Sequence, residues 1–298
     1  MTGDVDRRDA GAGPAHAGVI GYPVKHSLSP VLHGYWLKAH GIDGRYDAIE
    51  VAPDGLNAFF GSVRQGRLRG FNITLPHKVA ALERVDSVTA RASRAGAVNT
   101  VVRLDSGRLQ GDSTDGFGFL ASIADVAPGY RPGAGPVCLL GAGGAARSIA
   151  AALLDGGAPE VRVVNRSVAR ATGMCGHLGR GAVARPWDAA ASACADAALL
   201  VNATSLGMGG GEEFSPIFLD RLVQELPGHA LVCDIVYTPL ETVLLRKARG
   251  RGLAVVDGLG MLLHQGRPGF AAWFGVEPQV TADLRTAILA HLAARSRS

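Results

Sequence analysis

The stretch Val137–Ser167, VCLLGAGGAARSIAAALLDGGAPEVRVVNRS, decides the fold. An apolar, β-rich run (Val137–Leu140) enters Gly141-Ala142-Gly143-Gly144-Ala145-Ala146 and continues into an Ala-rich helical pattern. A second apolar run, Val161–Val164, ends at Asn165. Strand, glycine turn, helix and strand in that order form the GxGxxG/A unit of a dinucleotide-binding βαβ fold. Gly141 permits the tight turn, Gly143 lets a pyrophosphate approach the backbone, and Ala146 lets the helix lie close to the sheet. The N-terminus of that helix offers unpaired N–H groups and partial positive charge to phosphates. Gly141, Ala142, Gly143, Gly144 and Ala145 are therefore assigned to the cofactor.

The end of the second strand selects the dinucleotide. Where an NAD enzyme presents Asp or Glu to the ribose hydroxyls, Asn165 stands here, 24 positions after Gly141, followed by Arg166, Ser167 and, one helical turn on, Arg170. The missing carboxylate removes repulsion toward a 2′-phosphate, and two guanidinium groups with a hydroxyl supply charge-assisted hydrogen bonds to it. These residues predict NADP(H).

Working outward, Leu199–Asn202, Leu231–Ile235 and Ala254–Val256 repeat the strand–loop–helix rhythm, as parallel α/β architecture requires. Upstream, the Pro/Gly-rich Ala127–Pro136 reads as a connection to a first half with strands at Gly18–Tyr22, Arg45–Val51 and Gly70–Thr74. A helix starts at Ser29-Pro30, with Ser29 as N-cap and Pro30 at the first helical position. Helical segments run on to about Arg94, and Ala97–Leu104 with Arg108–Gly111 form a hairpin. From Gly258 onward the pattern is helical.

Composition narrows the class. Of 298 residues, 47% are apolar and 19% charged, the balance of a folded globular chain. No apolar run reaches the 18 residues that a membrane helix needs, and the N-terminus has no h-region of a secretory signal, so a cytoplasmic location is expected. The net charge of +4 is spread along the chain without basic blocks interleaved with aromatics, which argues against nucleic acid. Cys138, Cys175, Cys194 and Cys233 lack CxxC spacing and read as buried thiols, and no histidine pair has metal-ligand spacing, so no metal is expected.

Further strings are unusually polar for segments that touch strands: Gly21-Tyr-Pro-Val-Lys-His-Ser27-Leu-Ser29-Pro30, Phe71-Asn72-Ile-Thr74-Leu-Pro-His-Lys78, Gly96-Ala-Val-Asn99-Thr100 and Gly111-Asp-Ser113-Thr114-Asp115-Gly116. With the cofactor unit, Asn202-Ala-Thr204-Ser205-Leu-Gly-Met208, Asp234-Ile-Val-Tyr237-Thr-Pro239 and Gly260-Met-Leu-Leu-His-Gln265-Gly266, they fall in one order along the chain. That ordered set closely resembles the shikimate dehydrogenase family. The resemblance implies an N-terminal α/β substrate domain (17–115), a Rossmann-like NADP domain (116–257) and a C-terminal helical segment (258–298) returning to the first domain, after a flexible extension (1–16). It also implies the reversible, NADPH-dependent reduction of 3-dehydroshikimate to shikimate in aromatic amino-acid biosynthesis, by a monomer or homodimer.

Carried over by motif, Ser27 and Ser29 bind the substrate carboxylate. Thr74, Asn99, Asp115 and Gln265 hold the ring hydroxyls and the reacting carbonyl, and Lys78 and Asp115 form the catalytic pair. Tyr237 lies by substrate and nicotinamide, Met208 by the nicotinamide, and Thr204 and Gly258 along the cofactor. The chemistry is consistent with this: hydride reduction of a ketone leaves an alkoxide, which needs a proton donor within hydrogen-bond reach. A lysine ammonium meets the developing charge, and a neighbouring aspartate fixes its position. His26 and His77 are expected to serve packing or loop roles. The family usually shows Asn at the position of Ser113, so support of Asp115 is expected to differ. Quinate or aminoshikimate as substrate, or a non-catalytic nucleotide-sensing relative, stay open at this point.

Overall fold

The computed structural model describes residues 14–66 and 68–295. Their strands assemble into two six-stranded sheets. The first contains β1 (Ala15–Gly21), β2 (Gly44–Glu50), β3 (Leu68–Ile73), β4 (Ser87–Val88), β5 (Thr100–Arg103) and β6 (Leu109–Asp112), in the order β2-β1-β3-β5-β6-β4. β1 lies parallel to β2 and β3, whereas β5 is antiparallel to β3 and β6. The second holds β7 (Val137–Leu140), β8 (Val161–Asn165), β9 (Ala182–Pro186), β10 (Leu199–Asn202), β11 (Leu231–Asp234) and β12 (Ala254–Val256). It is parallel throughout, in the order β12-β11-β10-β7-β8-β9. Strand order reverses between β7 and β10, and ligands of open α/β sheets bind outside the strand ends at such a switch point.

The helices of the first half are α1 (Ser29–Ala39), α2 (Leu56–Gln65), α3 (Ala90–Ala95) and α4 (Asp115–Val126). Around the second sheet lie α5 (Gly144–Asp155), α6 (Val168–Leu178), α7 (Ala190–Cys194), α8 (Pro216–Glu225) and α9 (Val243–Gly250). Finally α10 (Gly258–Phe274) packs along α4, α1 and the strands β1, β3 and β5, and α11 (Ala282–Arg295) packs on α1. The C-terminal helices thus return to the first sheet. Gly70 makes this docking possible, because a Cβ there would lie 2.1 Å from both Trp273 Nε1 and the Val101 carbonyl. In its absence the buried Trp273 indole N–H donates to Val101 at 3.0 Å.

Several local expectations are corrected. Ala15 and His16 belong to β1, where Ala15 pairs with Gly44 and His16 bonds Asp47 at 2.8 Å, so the extension cannot reach residue 16; residues 1–13 lie outside the described residues. Ser29 is not an N-cap. Leu28 occupies that position without a side-chain cap, and the Ser27 hydroxyl oxygen instead accepts the Ser29 N–H at 3.2 Å. The helical stretch ends near Arg94 as expected, in α3, but it is interrupted: a 3₁₀ turn (Ala80–Glu83) is followed by β4, whose Ser87 and Val88 pair with Gln110 and Gly111 on β6. β9 lies at the edge of the second sheet, where pairing with β8 from Val161–Ala182 to Asn165–Pro186 holds it. All four cysteines are buried and free, and among the described residues no helix is long and apolar enough to cross a membrane.

Candidate active site

The carboxyl end of β3, the amino end of the antiparallel β5 and the start of α4 deliver one polar cluster between the two sheets. Lys78, in the turn after β3, donates from Nζ to Asp115 Oδ2 at 2.6 Å, with the two side chains only 13% and 4% exposed. Asp115 is the first residue of α4, where a carboxylate also complements the helix dipole. Its other oxygen accepts from Asn99 Nδ2 at 3.0 Å, and the same amide donates to Gln265 Oε1 on α10 at 3.2 Å. Asn99 is oriented from behind, since its Oδ1 accepts the Thr114 N–H at 2.6 Å and the Thr100 hydroxyl at 3.3 Å. Withdrawing an ion pair from water contributes little to stability; what the enclosure yields is a fixed ammonium beside a fixed carboxylate.

Ser27 and Ser29 flank Leu28 at the other end of the cluster. Ser27 is half-buried, whereas Ser29 is 5% exposed and lies beside the phenol of Tyr46. Tyr46 in turn donates to Asn72 Oδ1 at 2.6 Å, and Asn72 Nδ2 donates to Thr100 Oγ1 at 3.0 Å. Burial raises the Tyr46 phenol well above its ordinary range, so it acts here as a neutral donor. Tyr237, carried by the loop after β11, crosses to the backbone of Leu28, and burial raises its phenol too. Thr74 is half-buried and ties this rim to β1 through its N–H to the Ile20 carbonyl at 2.8 Å.

The dinucleotide loop closes the far wall. Gly141 has φ +109°, and a Cβ there would lie 2.8 Å from the Ala203 carbonyl at the end of β10, so this turn needs glycine. At Gly143 a Cβ would meet nothing within 4 Å, leaving the exposed backbone accessible to a pyrophosphate. Gly144, the first residue of α5, is different: a Cβ there would fall 2.5 Å from Cβ of Lys78. The stem of Lys78 therefore lies directly on the phosphate-loop helix. Ala142 and Ala145 are half-buried beside it, and Ala146 is fully buried against the sheet.

Asn165 Nδ2 donates to the Ser167 carbonyl at 2.9 Å, and Ser167 caps α6 by accepting the Arg170 N–H at 3.4 Å. The Arg170 side chain is exposed. Arg166 is exposed and holds both oxygens of Glu212, at 2.8 and 2.9 Å. Across the groove Thr204 is pinned to Asn202 Oδ1 through its N–H (3.1 Å) and hydroxyl (2.7 Å). Met208, on the turn that follows, is 44% exposed. Gly258 starts α10, with a hypothetical Cβ 2.4 Å from the Ile235 carbonyl. These groups fit NADP(H): backbone donors for a pyrophosphate, and Asn165 with two arginines, in place of an acid, at the end of β8.

Sequence reading passed over the groups that support the site. Ser113 does not reach Asp115; its hydroxyl donates to Ser148 Oγ on α5 at 2.9 Å, and Ser148 also accepts the Gly116 N–H at 2.8 Å. A serine at this position thus ties the start of α4 to the cofactor helix. Asn72, Thr100 and Thr114 stood in the polar strings without a role, and Tyr46 had no local signal at all. His77 is buried and hydrogen-bonds the Val51 carbonyl at 2.7 Å, while His26 contacts Arg295, so both serve the scaffold.

Behind Thr204, Asp234 accepts from Asn202 (2.9 Å), the Thr242 hydroxyl (2.7 Å) and the Val236 N–H (3.0 Å). Burial outweighs these bonds and pushes its carboxyl up to about 6. The folded protein therefore keeps this proton to higher pH than the unfolded chain, whose value is about 3.8. Stability from this group is full below about 3.8 and is lost as pH rises to about 6. Thermal unfolding of Asp234→Asn across pH 4–7 is expected to lack that downward slope; a slope equal to wild type would assign it to other groups.

A parallel sheet with a glycine loop at its switch point, and a lysine–aspartate pair seated on that loop's helix, define a two-sheet, dinucleotide-dependent oxidoreductase. Comparison with known proteins is consistent with this and more specific. Residues 19–101 match the shikimate dehydrogenase substrate binding domain, and residues 133–208 match the shikimate / quinate 5-dehydrogenase family. Shikimate dehydrogenase (NADP(+)) of Rhodospirillum rubrum is 53% identical over 277 residues, covering 92% of this chain and 96% of that protein. Shikimate 5-dehydrogenase of Thermus thermophilus, solved in complex with NADP(H) and shikimate, superposes with a TM-score of 0.78 at 38% identity, covering 92% of this chain and 98% of that one. Quinate dehydrogenase of Corynebacterium glutamicum, in complex with NAD, gives 0.80 at 30% identity, covering 93% and 99%. The chain belongs to the shikimate dehydrogenase family.

Proposed function

We propose that this protein is an NADP-dependent shikimate dehydrogenase, reducing the ketone of 3-dehydroshikimate reversibly to the alcohol of shikimate. The observation that carries the reading is the seat of Lys78: 2.6 Å from Asp115 and packed on Gly144 of the dinucleotide loop. When bound, NADPH supplies the hydride that the ketone carbon gains. The Lys78 ammonium meets the negative charge developing on the ketone oxygen, and the Lys78–Asp115 pair supplies the proton that completes the alcohol. Asn99 and Gln265 hold the substrate hydroxyls beside it, with Thr74 on the rim. Ser27, Ser29 and Tyr237 orient the ring from its carboxylate end. Residues 17–115 with 258–298 serve the substrate, and 116–257 serve the cofactor. A cytoplasmic monomer or homodimer, without nucleic-acid or membrane partners, goes with this role.

Asn165-Arg166-Ser167 with Ser27 and Ser29 favour NADP and shikimate over NAD and quinate. Steady-state comparison of shikimate and quinate with both cofactors tests this, and a higher kcat/KM for quinate with NAD would overturn it. Arg166→Ala is expected to weaken NADP(H) about 10- to 100-fold more than NAD(H), the range for losing charged hydrogen bonds. Equal losses for the two cofactors would remove Arg166 from the 2′-phosphate site.

A further inference from the structure

We propose that Glu212 is a built-in competitor for the 2′-phosphate of NADP(H), setting cofactor affinity through its hold on Arg166. The proposal rests on the reading that Arg166 contacts that phosphate. Arg166 Nη1 engages Glu212 Oε1 at 2.8 Å and Oε2 at 2.9 Å. Glu212 lies 46 positions downstream, directly after the glycine-rich turn Gly207–Gly211 that leaves the cofactor groove. Both side chains are more than half exposed, at 63% and 61%. Water screens such a pair, so a phosphate dianion displaces the single carboxylate charge. A ribose hydroxyl, being neutral, does not, so NAD(H) leaves the pair intact.

The carboxylate stays close after the exchange. Glu212 is tethered through its own carbonyl, which accepts the Gly207 N–H at 3.0 Å, and Gly209 N–H is held by the Thr238 carbonyl at 2.7 Å. Two residues on, Phe214 is buried and stacks with Trp187 and Phe218. Only the side chain is free to swing, so its charge, with Glu213 beside it, continues to repel the incoming phosphate. Glu212 thereby weakens NADP(H) selectively and eases its release.

Equilibrium titration of NADP⁺ and NAD⁺ against wild type, Glu212→Gln, Arg166→Ala and the double variant tests this. Glu212→Gln is expected to tighten NADP⁺ about three- to tenfold at low salt, to shift NAD⁺ less than about twofold, and to lose its advantage as ionic strength rises. In the Arg166→Ala background the same change should have a much smaller effect. An unchanged or weaker NADP⁺ affinity, or an equal shift for both cofactors, overturns the proposal. If Arg166→Ala itself weakens both cofactors equally, the 2′-phosphate site falls and Glu212 with it. If Arg166→Ala is selective and Glu212→Gln is silent, only the competitor role is lost.

Discussion

Lys78→Ala is expected to lower kcat about 10²- to 10⁴-fold, the range for removing a positioned proton donor, while NADP(H) still binds. The variant removes the ammonium that sits 2.6 Å from Asp115, and it leaves Asp115 held by Asn99 at 3.0 Å. The backbone donors of the Gly141–Gly144 loop and the Asn165–Ser167 segment stay in place. Turnover should therefore fall with little change in cofactor affinity. Steady-state kinetics paired with a cofactor titration separates the two, and wild-type turnover would remove Lys78 from the mechanism. A non-catalytic nucleotide sensor would have no use for this pair.

The second large effect is expected at Gly144. An added methyl would lie 2.5 Å from Cβ of Lys78 and 3.1–3.2 Å from its next carbons, and the stem would have to move. Misplacing a catalytic group by about 1 Å can cost on the order of 10²-fold in rate, so Gly144→Ala should depress kcat by about that much. Gly143→Ala is the matched control. Its methyl meets no protein atom within 4 Å and projects into the space assigned to the pyrophosphate. It should raise KM for NADP(H) and leave kcat nearly unchanged. The reverse pattern, or a silent Gly144→Ala, would show that the lysine stem does not depend on the phosphate-loop helix.

The parts of the site that were legible in the sequence are those whose cause is local. Val137–Leu140, Leu199–Asn202 and Ala254–Val256 form strands with the limits expected from their apolar runs. Turn chemistry at Gly141 and the missing acid at Asn165 depend on neighbours a few residues away, so they too could be read directly. Ser29 shows where this fails. Serine before proline suggests a cap, but packing buries its hydroxyl against Tyr46, and Ser27 accepts the backbone N–H instead.

Segment Gly141–Arg170 by itself determined a dinucleotide fold and pointed to NADP(H), because steric freedom, helix polarity and side-chain charge act within one βαβ unit. Only the tertiary structure decided what that unit meets. Lys78 lies on Gly144, Tyr237 reaches the Leu28 backbone, Ser113 binds Ser148 on the cofactor helix, and Glu212 holds Arg166. Each contact joins segments tens to hundreds of residues apart. Sheet order and helix docking bring them together, and neither leaves a periodic trace in the chain.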